Sequence, residues 1–191
     1  MRNFGSRTVS MEGGSNRGGR GRFLPLKPSR GGFVRPFGCG WFIQQFLAGN
    51  GPAGSPQIDS ARGAPQADIF HYYKKAILKA TALDRATRQE ERQAKQQKRL
   101  ISPENIEKLT ERYLAGMPYK SSACRYHSFV VYFSNLQRLG WVEFSGIEEP
   151  SAFQDHYAAG QPRRYYRLTA TGMAASEVAW ANPFSALYGG S

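Results

Sequence analysis

The sequence predicts a mainly α fold with a small antiparallel β-wing, a long N-terminal helix and a disordered, basic Gly/Arg-rich tail. Three observations carry this. An apolar stripe at helical spacing runs from Phe129 to Leu139 and stops at Gly140, a residue that accepts the left-handed conformation closing many helices. Trp141-Val142-Glu143-Phe144 follows with aromatic and β-branched strand formers, and Arg163 to Thr169 supplies a matching second strand. Upstream, Ser102 as N-cap, Pro103 at the first position and Glu104 in the first turn open another amphipathic helix. Two helices joined by a short turn, then strand, long loop and strand, is the order of a winged helix-turn-helix.

Composition divides the 191 residues unevenly. Residues 1–66 hold most of the Gly and Pro and no sustained apolar period. The expected organisation is therefore a tail over 1–36, a linker with a short apolar docking segment over 37–66, and a folded domain over 67–188. That last span is long enough for one ordinary core. Cys39 and Cys124 make neither a disulfide framework nor a CxxC metal pair, so a reducing compartment, the cytoplasm, is the expectation. No run approaches the roughly 18 apolar residues of a membrane span, and the Arg/Gly-rich start does not resemble a secretory signal.

A net charge of +12 points to a polyanionic partner, but its distribution matters more than its sum. Residues 1–36 carry eight Arg/Lys against Glu12, for +7, and residues 74–99 carry nine against Asp84, Glu90 and Glu91, for +6. Residues 37–73 come to −1, and from 100 onward eight bases meet eight acids. The helix-turn-helix portion is thus neutral, with the excess in the tail and the first long helix.

In the tail, Arg17, Arg20, Arg22 and Arg30 alternate with Gly and Phe, a pattern that stacks on bases and neutralises phosphates without a fixed fold. The competing account is a solubilising leader, or an upstream start before a true Met11. Cys39 to Leu47 forms one short apolar run, a strand or two helical turns, expected to dock on the domain or on a partner. A helix over 67–99 begins near Pro65, with Ile69, Phe70, Tyr73, Ile77 and Ala80 at core spacing. Beyond Asp84 its stripe gives way to Arg, Lys, Gln and Glu. Lys95, Lys98 and Arg99 there are candidates for sequence-independent nucleic-acid contact, against the commoner alternative of a solvated face.

In the helix opened by Ser102, Ile106, Leu109 and Tyr113 are expected to face inward, with Gly116 at its end. The long helix is expected over 122–139. Phe129, Tyr132, Phe133, Leu136 and Leu139 lie on its core side. Val130 and Val131 lie away from it, to be covered by another element or a second subunit, or to meet thymine methyls in a groove.

The run Tyr132-Phe133-x-x-Leu136-x-x-Leu139-Gly140-Trp141-Val142-Glu143 resembles the end of the recognition helix and first wing strand of PadR- and MarR-like winged-helix regulators. Gly160 to Gly172, with Arg163-Arg164-Tyr165-Tyr166-Arg167-Leu168-Thr169, is similar to the second wing strand of the PadR type. The resemblance covers about 50 residues well and about 75 loosely. It implies that Lys120, Ser121, Ser122, Arg125, Tyr126 and His127 meet base edges and backbone in the major groove, and that Arg163 and Arg164 act from the wing over 143–169. Two features depart from the family. The loop after Ser145 carries Glu148, Glu149 and Asp155, and the helix expected over 171–180 is too short for PadR dimerisation. Any homodimer would form through helix 67–99 or the Val130–Val131 face.

His71, His127 and His156 are the only histidines, and Cys124 with His127 makes too small a ligand set for a metal. No phosphate-cradling Gly-Lys loop appears, and no nucleophile with its base can be assembled, so neither cofactor nor catalysis is expected. Two functions remain. One is a DNA-binding regulator, duplex DNA favoured over RNA. The other is an interaction subunit of a nucleoprotein assembly, whose tail contacts RNA or partner subunits.

Overall fold

The computed structural model describes residues 37–150 and 162–188. The expectations for the tail, including Arg17, Arg20, Arg22 and Arg30, and for Asp155 and His156 lie outside these residues. The elements run α1 (Cys39–Leu47), β1 (Ala64–Pro65), α2 (Gln66–Gln96), α3 (Pro103–Ala115), a 3-10 turn (Tyr119–Ser122) and α4 (Tyr126–Arg138). Then come β2 (Val142–Glu149), β3 (Arg163–Leu168), α5 (Ala170–Ala174), α6 (Glu177–Ala181) and α7 (Pro183–Tyr188). The chain is mainly helical with one small antiparallel sheet, as its periodicity predicts.

The short apolar run becomes helix α1, and it docks on the domain. Phe42, Ile43, Phe46 and Leu47 are buried with Ile69, Tyr73 and Ile77 of α2 and with Phe129, Phe133 and Leu136 of α4. Burying four large side chains, at about 1.5–3 kcal/mol each, makes α1 part of the core and not an appendage. Gly40 permits the approach: a side chain there would collide with the Trp180 carbonyl and the Tyr132 hydroxyl. That hydroxyl donates to the Trp180 carbonyl, tying α4 to α6. Burial, and secondarily Cys39, pushes the Tyr132 phenol far above its ordinary range.

The sheet order is β1-β3-β2, so the end of the expected linker supplies a third strand. The two proposed strands pair, Val142 against Leu168 and Glu149 against Arg163, with an irregularity between Phe144 and Glu148. Gly140 takes φ +67° where α4 stops, as expected of a helix-closing glycine. Among the described residues no helix is long and apolar enough to cross a membrane.

Four features differ from the sequence expectation. The helix assigned to 122–139 begins at Tyr126. Upstream, the Ser122 hydroxyl donates to the Tyr119 carbonyl and the Cys124 thiol to the Ser122 carbonyl, so local side chains hold a turn that competes with helix. Ala123 is left-handed within it. The helix assigned to 67–99 ends at Gln96, because Lys98 adopts φ 51° and Arg99 turns back. The helix expected over 171–180 is split at Ala175, since the Ser176 hydroxyl caps a fresh start at the Ala179 N–H.

The fourth difference concerns α3. Ser102 does cap it, accepting from the Asn105 N–H at 3.3 Å. Yet none of its residues is buried, and Ile106, Leu109 and Tyr113 are only partly covered. A short connection returns α3 along the outer half of α2, where Ala82, Ala86 and Ala94 are buried and let the two helices approach. The core is formed by α1, inner α2, α4 and the sheet, with an α2–α3 hairpin extending from it.

Candidate nucleic-acid interface

The hairpin's tip is organised by one buried carboxylate. Glu90 is fully buried, and it accepts from Arg99 (Nη2 at 3.0 Å), from the Ser102 N–H at 2.9 Å and from Asn105 Nδ2 at 3.5 Å. The Arg99 hydrogen bonds, then that of the Ser102 N–H, hold its carboxyl down to about 2 against burial, which opposes them. The same contacts raise Arg99. Arg99 is therefore a structural partner of Glu90 and not a spare cation. Lys95 and Lys98 are exposed, as nucleic-acid contact requires.

At the turn before α4, Lys120 is exposed, Ser121 half-buried and Ser122 fully buried. Ser122 thus leaves the set of groove candidates: its hydroxyl is spent inside the turn. Arg125 is the N-cap of α4 but offers no side-chain cap, and no acid stands in the first turn. Arg125 and His127 are exposed, and neither Arg125 nor Lys120 pairs with a carboxylate among the described residues. The first backbone N–H groups of a helix attract anions, and uncommitted cations beside them add to that field. Tyr126 is half-exposed, its ring edge-on to Phe70 at 5.1 Å; burial of the remainder raises its phenol, with Tyr166 adding to the shift.

The sheet presents the opposite electrostatics. Arg163 reaches Asp68 at 2.5 Å, Arg164 reaches Glu148 at 2.7 Å, Arg167 reaches Glu143 at 2.9 Å, and Arg62 pairs with Glu149. Tyr165 donates to Glu149 at 2.6 Å, and that bond, followed by burial, raises its phenol. Such solvated pairs contribute at most about 1 kcal/mol each, so they cancel charge without locking the strands. The structure places Arg163 and Arg164 on the strand the sequence assigned them to, but each already faces a carboxylate.

Two further cations come together here, one of them from the basic run over 74–99. Arg85 of α2 and Arg112 of α3 wall one cleft with Ser121 and Thr81, a juxtaposition that only the hairpin creates. Nearby, Lys74 is buried with its ammonium 3.6 Å from the centre of the Tyr119 ring, seating the turn on α2. Among the described residues no cluster of three or more metal-ligating side chains occurs. No family model, curated protein or solved structure matches this chain.

Proposed function

We propose that the chain is a non-enzymatic winged-helix DNA-binding protein, most simply a transcription regulator, in which the start of α4 meets the major groove. One observation carries the reading. Lys120, Arg125 and His127 gather at an uncapped helix start, exposed and with both bases uncommitted, while the cations on the neighbouring strands are matched by carboxylates. Order and pairing of α3, α4, β2 and β3 support the winged-helix part of the proposal, although α3 leans on α2. Tyr126 and Ser121 would border the contact, and the paired wing arginines would add little to it.

The test is a gel shift of Lys120→Ala/Arg125→Ala on duplex pools. Loss of a specific contact should weaken the preferred duplex by about 1–3 kcal/mol and flatten discrimination among sequences. Unchanged binding to every duplex would sink the assignment.

A second reading, an interaction subunit in a larger nucleoprotein assembly, draws on the hairpin's apolar surface. Leu83, Leu100, Ile101 and Leu114 are exposed there, and Val131 is exposed on α4. In this reading a second copy or a partner subunit covers them, and the basic residues bind RNA.

A further inference from the structure

We propose that the cleft between α2 and α3, walled by Arg85 and Arg112, is a second site for the phosphodiester backbone of nucleic acid. It rests on the nucleic-acid reading above but not on the part α4 plays in it. The cleft measures about 220 Å³, and Ser121 and Thr81 line it beside the two guanidiniums. No carboxylate lines it. Neither arginine forms an ion pair among the described residues. The nearest acids in sequence are turned to other work: Asp84 holds Arg88 at 3.1 Å, and Glu111 borders the separate groove beside Leu83 and Ile106.

The cleft does not end at Arg85. Arg85, Arg88, Arg92 and Lys95 recur at i, i+3, i+7 and i+10 on α2, and all four are exposed. At a rise of 1.5 Å per residue the stripe is about 15 Å long. One DNA strand presents a phosphate about every 3.4 Å along the axis, so three uncommitted cations, Arg85, Arg92 and Lys95, face roughly four phosphates, with Arg88 between them held by Asp84. An isolated small anion would be served by the cleft alone. A row of cations leading out of it suits a polymer. Ser121 joins the cleft to Lys120, so a backbone seated there continues toward the start of α4.

The experiment measures affinity of the full chain for a fluorescein-labelled mixed-sequence duplex at several salt concentrations. Arg85→Ala/Arg112→Ala should lose about two units from the slope of log affinity against log salt, because two phosphate contacts disappear. Arg85→Lys/Arg112→Lys should keep the slope. Lys75→Ala/Lys79→Ala, which removes equal charge from another face of α2, should leave it unchanged, with circular dichroism confirming that each variant is folded. An unaltered slope in the first variant overturns the proposal, and so does an equal loss in the lysine control, since net charge alone would then explain binding. A reduced slope for Arg85→Ala/Arg112→Ala beside wild-type behaviour of Lys120→Ala/Arg125→Ala keeps the cleft and removes the α4 reading. The reverse removes the cleft alone, and a wild-type chain that binds no nucleic acid removes both.

Discussion

The two halves of α2 are one helix held by two different kinds of interaction. The inner half buries Ile69, Tyr73 and Ile77 among aromatic rings of α1 and α4, and its stability comes from apolar area. The outer half offers mostly alanines to α3, whose own residues stay at least partly solvated. Its connection depends on Glu90 and the three groups that hydrogen-bond it. Apolar burial is insensitive to pH and spreads over many contacts, whereas a buried carboxylate concentrates the same task at one titratable side chain. The outer half is also where uncommitted cations accumulate, so the less strongly packed half carries the candidate phosphate surface.

Ile77→Ala should give the largest effect. A fully buried side chain leaves a cavity costing about 2–5 kcal/mol, and denaturant midpoints of the whole domain should fall accordingly. A result below about 1 kcal/mol would erase the distinction between the halves.

Arg99→Ala should act locally. With its main partner gone the buried carboxylate is under-satisfied, so amide exchange in α3 should accelerate at least tenfold while α4 amides keep wild-type protection. Acid should imitate this variant. Glu90 titrates near 2 in the fold against an ordinary 4.5, so its contribution is complete above about pH 4.5 and is lost as pH falls through about 2. Protection in α3 that begins to fail well above pH 5, or that survives at pH 2 as at pH 7, would contradict the arrangement around Glu90.

Leu83→Glu should have the smallest effect on stability, within about 0.5 kcal/mol, because the residue is half-exposed. Its value lies in mass in solution. If a second copy covers the hairpin, light scattering should show the wild type as a dimer and the variant as a monomer; a wild-type monomer would remove self-association from the second reading.

Much of the architecture was legible in the residues. The α4 stripe, Gly140, the Ser102 cap and the two strand segments all fall where their chemistry puts them, because each depends on neighbours within one or two turns. Docking of Cys39 to Leu47 followed from the cost of leaving Trp41, Phe42, Phe46 and Leu47 in water. The interface was less legible. Ser122 and Arg99 carry the residue types of nucleic-acid contacts, yet one closes a turn and the other neutralises Glu90. Periodicity reports which face of a helix is apolar but not which helix will cover it, so α3 was expected inward.

Sequence alone determined the mainly helical content, the small antiparallel sheet and the surplus of positive charge, since these follow from local propensity and from counting. Tertiary structure decided which cations remain uncommitted. Charge pairing depends on distances between residues such as Arg163 and Asp68, or Arg85 and Arg112, that are far apart along the chain, and only the packed arrangement of α2, α3 and the sheet fixes them.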